Sequence, residues 1–263
     1  MKNIVEYKSV AALTAALIDA QPRECWGDYA IKEKNDNNTR WSGEKFADAF
    51  EKLSCGDQKN AAKIKAQGDI IAKGKGKGVP QFELSVRGCL PSVPNYLRGV
   101  PKNMLNVRRE PRHKPVIDMF IDSGIYDGID TDKVAAFTAR VANVIAAVER
   151  AGVRINLYNA CIGKDNKKDV YGYVVKIKEA SSPLNLLNIA FPIMNRAMCR
   201  VVFLHWMDVN IDHMIYGHGC VTSGSDVKKH IGREGVYFST HEDLNMSIES
   251  IAMRVNEYLN NKK

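Results

Sequence analysis

The feature that most constrains this chain is a strand–helix–strand pattern that begins just after Pro115. The apolar run at 116–121 and the alternating run at 153–158 are typical of buried strands, and between them 131–151 repeats its apolar residues at helical spacing. Gly152 follows that helix, and Asp130 or Thr131 stands in position to cap its start. Two strands joined by such a helix are expected to be parallel, with a right-handed crossover.

The same alternation continues to the end of the chain. The spacing predicts strands at 171–178, 199–206 and 236–239, and helices at 184–194 and 242–259. Strands and helices that alternate over this length form an open, mostly parallel α/β sheet with helices on both faces. We therefore expect residues 116–263 to form one α/β domain.

The part before this domain predicts a basic, mainly helical region over residues 1–115. Helical spacing is present at 9–20, 42–53 and 58–73, and a short strand is expected at 82–86. The alternating Lys and Gly residues at 73–78 interrupt regular structure, because glycine loses much conformational entropy in a helix or strand. The sequence leaves open whether this region of helices and loops folds independently.

The excess positive charge lies entirely in this first region. Up to Lys114 there are 21 Lys and Arg against 13 Asp and Glu, whereas 17 face 17 from Val116 onward. The densest run contains one acid, Asp69, and six lysines: Lys59, Lys63, Lys65, Lys73, Lys75 and Lys77. Such a run is either a solvated surface or a binding site for a polyanion.

Aromatic residues interleaved with these cations favour a nucleic acid as the polyanion. Bases of a single strand stack on exposed rings beside a cationic groove. Trp26 and Trp41 flank a polar stretch, and Trp41 is expected to be the more buried because it precedes the apolar stripe of the 42–53 helix. We therefore take Trp26 as the stacking candidate. Arg40, Arg108 and Arg109 complete the predicted nucleic-acid-binding set.

Residues 116–259 resemble a von Willebrand factor A-type domain, a Rossmann-like fold. The resemblance rests on a strand that ends in Asp122-Ser-Gly, a long helix that ends in Ala-Gly, a second strand, and then Val-Val-Lys-Ile-Lys-Glu before another helix. It implies the open α/β sheet expected from the periodicity.

Three short patterns resemble an uncharacterised phage-encoded family that carries such a domain. They are Trp-Ser-Gly-Glu-Lys-Phe from Trp41, Val-Arg-Gly-Cys-Leu-Pro-Ser-Val-Pro-Asn-Tyr-Leu from Val86, and Glu-Arg-Ala-Gly-Val-Arg-Ile-Asn-Leu from Glu149. Size and basicity are also similar to the single-stranded DNA-binding protein with which some podophages recruit their RNA polymerase. These resemblances imply a viral origin, action in the host cytoplasm, and single-stranded DNA and a phage RNA polymerase or replication protein as partners.

The sequence also offers metal-ligating residue types in two places. The A-type metal site needs Asp-x-Ser-x-Ser, but Asp122 is followed by Gly and Tyr where the hydroxyls belong, so we do not expect the usual site. Later in the chain His205, Asp208 and Asp212 precede His213, His218 and Cys220, which are suitable zinc ligands without a recognisable spacing. We predict no cofactor.

Enzyme signatures and membrane segments are absent from the sequence. It contains no P-loop and no nucleophile elbow, and the pairing of Cys199 or Cys220 with a nearby His is expected by chance. No apolar run approaches the roughly 20 residues that span a bilayer. Single-stranded DNA binding is the first hypothesis. The alternatives are an A-type protein-interaction adaptor without nucleic-acid binding, and a metal-dependent enzyme.

Overall fold

We describe the fold from a computed structural model of the chain. The structure describes residues 2–31, 39–67, 81–88, 90–108, 115–123, 130–164, 169–212, 220–221, 224–240 and 242–261. Lys73, Lys75, Lys77, Arg109, His213 and His218 lie outside these residues.

The elements alternate between strands and helices along most of the chain. The strands are β1 (Lys2–Tyr7), β2 (Gln81–Ser85), β3 (Leu90–Pro91), β4 (Met104–Arg108), β5 (Val116–Asp122), β6 (Arg154–Lys164), β7 (Val170–Lys178), β8 (Cys220–Val221) and β9 (Val236–Ser239). The helices are α1 (Val10–Leu17), α2 (Thr39–Ser42), α3 (Phe46–Cys55), α4 (Gln58–Ala66), α5 (Val93–Leu97), α6 (Thr131–Arg150), α7 (Leu186–Met194), α8 (Leu204–Asn210), α9 (Gly224–Ile231) and α10 (Ile248–Asn261). A 3-10 turn occupies Gly27–Tyr29, and a π-helical segment, Met198–Phe203, runs directly into α8.

The main sheet is mixed but mostly parallel, in the order β1-β7-β6-β5-β9. Strand β5 pairs in parallel with β6 and β9, and β1 pairs in parallel with β7. The β6–β7 pair is antiparallel, and so is the short β6–β8 pair. The predicted unit of β5, α6 and β6 is confirmed, and the Asp130 side chain caps α6 by accepting from the Asp132 N–H.

Both faces of the sheet are buried, as the near-continuous apolar character of its strands predicts. Met119 and Leu157 point into the larger cluster, which the N-terminal helices, α6, α7 and α8 cover. Phe120 and Tyr158 point to the opposite face, where α9 covers them with Val227. The period of two along β5 and β6 therefore separates two apolar layers.

Sequence analysis missed β1, which is the edge strand next to β7. Its six residues pair with Val170 to Val175, and the following helix α1 buries Leu13 and Leu17 in the larger cluster. Phe46 and Phe50 of α3 lie in that cluster together with Ile117 and Leu157. Residues on both sides of position 115 therefore share one sheet and one hydrophobic core.

The strand predicted at 199–206 is wrong, because this segment is helical. Met198–Phe203 and Leu204–Asn210 are buried almost throughout. An apolar run that is buried on all sides carries no periodicity that separates strand from helix. The helix satisfies its backbone hydrogen bonds internally, whereas a strand here would need a neighbouring strand as partner. The loop after it therefore does not leave the carboxyl end of a strand.

Along the chain, a second, smaller sheet follows the helices of the first region and precedes β5. Strand β4 is central and pairs antiparallel with β2 on one side and β3 on the other. The strand predicted at 82–86 is thus confirmed as β2. Over 84–88 and 90–105, where side-chain burial is described, no side chain belongs to the buried core.

Trp26 and Trp41 have the opposite burial from the expected one. Trp26 is only 1% exposed and its ring N–H donates to the Ile211 carbonyl at 3.3 Å, so this ring belongs to the core. Trp41 is 37% exposed. Trp41 was expected to be buried because it precedes the apolar stripe of a helix that starts at 42. The helix α3 instead begins at Phe46, and Trp41 lies in the separate turn α2.

We predict that Trp26→Ala lowers the free energy of unfolding by about 3–5 kcal/mol, because it leaves a cavity in a packed core. Trp41→Ala should lower it by clearly less, since much of that ring is already in water. Urea unfolding followed by circular dichroism measures both values. Equal losses in the two variants would contradict the burial seen here.

Candidate functional site

The predicted cations that the structure describes lie mainly on α4. Lys59 and Lys65 are exposed, whereas the Lys63 ammonium lies 3.5 Å from a carboxylate oxygen of Asp132 on α6. Arg108 ends β4 in the smaller sheet, where only its backbone is described. Lys59 and Lys65 are therefore the α4 lysines that face solvent.

The Trp41 ring lies against a guanidinium group. Arg200 places its guanidinium carbon 5.2 Å from the centre of this ring and donates a hydrogen bond to the Trp41 carbonyl. Arg200 itself is only 5% exposed, because the buried helical segment 198–203 carries it. A cation over an indole face is attracted by the ring quadrupole, and more strongly where the cation has lost water. The ring is thus held in one orientation at the surface.

Further cations lie close to Trp41 along the chain or pack beside its segment. Arg40 is the exposed neighbour of Trp41 in α2, and Lys45 is exposed just before α3. The Arg196 side chain packs over Gly43, since a Cβ at Gly43 would lie 2.6 Å from the Arg196 Cγ. Gly43 also has φ of 94°, a conformation that favours glycine. We call Arg40, Trp41, Lys45, Arg196 and Arg200 the Trp41 surface.

Two carboxylates near this surface, Glu44 and Asp57, are engaged by neighbouring side chains. Glu44 pairs with Lys52 at 2.5 Å and accepts from the Asn195 amide at 3.2 Å. The same amide donates to Asp57 at 3.2 Å, and Asp57 caps α4 through the Asn60 N–H. Asn195 therefore connects Glu44, the neighbour of Lys45, with Asp57, the capping residue of α4. Asp57 precedes Lys59 by two residues.

Sequence analysis found Arg40 and Lys59 but missed Arg196 and Arg200. Their i, i+4 spacing places two arginines on one side of a helix. That signal could be used only once 198–206 was recognised as helical. The structure places Trp41 among these cations and places Trp26 in the core.

The late group of His and Asp residues ties the N-terminal segment to the core. The His205 ring nitrogen Nε2 lies 3.0 Å from the Leu17 carbonyl, and the Asp208 carboxylate accepts the Ile31 N–H at 2.6 Å. Asp212 pairs with Arg23. Cys220 is described only as part of β8. Within the described residues, no group of three or more His, Cys, Asp or Glu side chains is placed to hold a metal ion.

The Asp122 region is a buried polar cluster at the carboxyl end of β5. Asp122 is 1% exposed, and its carbonyl accepts the Thr240 N–H at the end of the neighbouring strand β9. Ser123 lies 3.0 Å from the Cys161 sulfur, so its hydroxyl is committed to the protein interior. Burial and the Asp122 charge raise the pKa of Cys199 to about 12. A thiol that stays protonated is a poor nucleophile.

A comparison with protein-family models supplies the relationship of this chain. One model matches residues 3–262, almost the whole chain. The chain belongs to the DUF7192 family. This family is described as a domain of unknown function. No curated protein and no solved structure matches the chain.

Membership in the DUF7192 family assigns no activity. Besides the Trp41 surface, the domain has a groove that could hold a ligand. This groove has a volume of about 530 Å³ and lies between α1, α3 and α7, beside the ends of β1 and β7. Lys8, Lys176 and Lys178 line it, and two of these three are paired, Lys176 with Glu179 at 3.0 Å and Lys178 with Glu149 at 2.7 Å. The groove therefore offers less uncompensated charge than the Trp41 surface.

Among the described residues, no single helix is long and apolar enough to cross a membrane. The pair Leu186–Met194 and Met198–Asn210 meets the length and composition only jointly, across a bend of 67°.

We predict that the buried thiols make the domain less stable at alkaline pH. The unfolded chain loses its thiol protons near pH 9, whereas Cys199 holds its proton until its folded pKa of about 12. Deprotonation therefore favours the unfolded state as pH rises from 9 towards 12, by about 1 kcal/mol at pH 10 for each such thiol. Urea unfolding at pH 8 and pH 10 should show a smaller loss in Cys199→Ala than in the wild type. The exposed control Cys55→Ala should match the wild type, and identical losses in all three proteins would contradict the assignment.

Proposed function

We propose that this protein binds single-stranded nucleic acid, with single-stranded DNA as its first ligand, through the Trp41 surface. The observation that carries the proposal is the exposed Trp41 ring seated on the Arg200 guanidinium and flanked by Arg40 and Lys45. Non-specific single-strand binding needs these two components, a ring on which a base stacks and cations that follow the phosphates.

The orientation of the ring supports this role. Arg200 approaches one face of Trp41 and also holds its backbone carbonyl, so little conformational freedom remains for a ligand to remove. An immobilised aromatic platform lowers the entropic cost of binding. The 37% of Trp41 that stays exposed is available to a base. Stacking accepts any base, so the surface favours single strands without reading their sequence.

The lysines of α4 extend the cationic track from this platform. Lys59 stands near the start of α4, which Asn195 connects to Glu44 beside the platform. Lys65 is exposed on the same helix. Phosphates that follow this path would contact the cations of the Trp41 surface first, then Lys59, and then Lys65. The glycine-separated lysines 73, 75 and 77 come next in the sequence.

The resemblances add two finer proposals. The order of β5, α6, β6, β7 and α7 supports a von Willebrand factor A-like arrangement of residues 116–259, although 198–210 is helical where a strand was expected. Phage origin rests on the short sequence patterns, and recruitment of a phage RNA polymerase rests on that origin together with size and basicity. Pull-down of purified podophage RNA polymerase by this protein, with and without a single-stranded promoter oligonucleotide, tests the recruitment.

We predict that Trp41→Ala weakens binding of a single-stranded DNA oligonucleotide by about 1–3 kcal/mol, because one base loses its stacking partner. Trp41→Tyr should retain most of the affinity, since the smaller ring still stacks. The slope of log affinity against log salt should stay unchanged in both variants, because stacking releases no counterions. Fluorescence anisotropy at several salt concentrations measures both quantities. Unchanged affinity in Trp41→Ala, with the fold intact, would remove the ring from the site.

We predict that the triple variant Arg40→Ala, Lys59→Ala, Lys65→Ala makes the salt slope less steep by about 2, since each phosphate contact on a single strand contributes about 0.7. The matched control is Lys228→Ala with Lys229→Ala, because these exposed lysines lie on α9, across the sheet from the Trp41 surface. The control should retain the wild-type slope. A triple variant with the wild-type slope, or equal changes in both variants, would count against this cationic track.

A further inference from the structure

The smaller sheet with its short helix α5 forms a unit that we call the 81–108 module. Its strands pair only with one another, in the order β2-β4-β3. Among the module residues whose burial is described, 84–88 and 90–105, none belongs to the buried core of the domain. The module therefore presents a surface that the rest of the described chain does not cover.

That surface is rich in large apolar side chains. Their exposed fractions run from 37% for Val100 to 78% for Leu97. The exposed set is Leu84, Val86, Leu90, Val93, Tyr96, Leu97 and Val100. A contiguous apolar surface on a folded protein marks an interaction site, whereas single exposed apolar residues do not.

Part of the set forms a row across the sheet. Leu84 of β2 and Leu90 of β3 both stand opposite Leu105 of β4, so the three side chains share one face. Leu84 and Leu90 are 41% and 53% exposed at the two ends of this row. A ligand with apolar side chains at alternate positions would find a matching row here.

The charge of the module indicates the chemistry of its partner. Residues 81–108 contain one acid, Glu83, against Arg87, Arg98, Lys102 and Arg108. Arg87, Arg98 and Lys102 are exposed. A second copy of this chain would bring like charges together at the same patch, which costs free energy. The complementary partner is anionic as well as apolar.

The free edge of the sheet favours a protein segment over the other anionic partners, a lipid surface or a nucleic acid. Strand β2 lies at the edge, with β4 on one side and no strand on the other among the described residues. Edge backbone groups are a template for one more strand. A lipid chain cannot satisfy those groups. Aliphatic side chains such as Leu84 and Val86 offer a base no ring on which to stack.

We propose that the 81–108 module binds an acidic, apolar segment of another protein, which adds an extended strand to the free edge of β2. The alternate apolar side chains of that segment pack against the Leu84 row and Val86, and its carboxylates face Arg87, Arg98 and Lys102. Backbone hydrogen bonds supply affinity in this mode of recognition, and the side-chain row supplies specificity. This surface is distinct from the Trp41 surface and does not depend on nucleic-acid binding.

The experiment uses defined peptides and the full chain without nucleic acid. The probe is a fluorescein-labelled eight-residue peptide that alternates Val and Glu, and fluorescence anisotropy reports its binding. We expect saturable binding of this peptide and at least about tenfold weaker binding of the matched Val–Lys and Thr–Glu peptides. Methylation of alternate backbone nitrogens in the Val–Glu peptide should also weaken binding, because a strand loses its donors.

Two variants locate the site on the module. Leu84→Thr with Val86→Thr removes apolar surface and leaves a β-branched Thr at both positions, in and beside the strand. It should weaken Val–Glu peptide binding about tenfold or more. The matched control is Met253→Thr, an apolar residue that is 58% exposed on α10. Circular dichroism and urea unfolding verify that both variants keep the fold. Wild-type affinity for the peptide in Met253→Thr supports the assignment.

Three results would overturn the proposal. They are no binding of the Val–Glu peptide, equal binding of the N-methylated peptide, and equal loss in Met253→Thr. Phosphatidylglycerol vesicles provide the membrane arm, and vesicle binding that Leu84→Thr with Val86→Thr abolishes, without peptide binding, would assign the patch to lipid instead. Single-stranded DNA binding that depends on Leu84 and Val86 rather than on Trp41 would assign it to nucleic acid. The Trp41→Ala protein should bind the peptide normally, so the two proposals fail separately.

Discussion

The rest of the structure depends on one buried helical segment, because its polar side chains need hydrogen-bond partners. Met198–Phe203 and α8 lie inside the protein, yet they carry Arg200, His205 and Asp208. A buried polar group without a hydrogen bond costs several kcal/mol, so the chain around it must supply one. The N-terminal segment does so, since Leu17 offers its carbonyl to His205 and Ile31 its N–H to Asp208. Arg23 donates its own N–H to the Asp208 carbonyl at 2.8 Å.

The same segment builds the candidate nucleic-acid site. Arg200 leaves the buried helix towards the surface and meets Trp41, so the platform inherits the rigidity of the core. Arg196 precedes it by one helical turn and packs over Gly43. A site held on a packed helix keeps its geometry better than one held on loops. Loosening the N-terminal segment, for example at Trp26, would therefore disturb binding through the fold rather than through direct contact.

The two exposed surfaces differ in the physics of what they can hold. The Trp41 surface joins one aromatic ring to several cations, a combination suited to bases and phosphates. The 81–108 module joins aliphatic rows and an open strand edge to cations, a combination suited to an acidic peptide. A protein with both could bring a single strand and an acidic protein together without any catalytic chemistry of its own. That arrangement would serve the recruiting role proposed above.

The sequence by itself determined the elements whose pattern is local. The period of two in β5 and β6, the helical period of α6 and the cap at Asp130 need only neighbours along the chain, and these elements appear where expected. The concentration of charge before residue 115 is likewise a property of the sequence. Tertiary structure alone decided the helical state of 198–206, the pairing of β1 with β7, and which tryptophan faces water. For the tryptophans and for β1, the deciding partner lies more than 100 residues away: Ile211 for Trp26, Arg200 for Trp41, and Val170 to Val175 for β1. Burial follows from such distant contacts, and no local pattern encodes them.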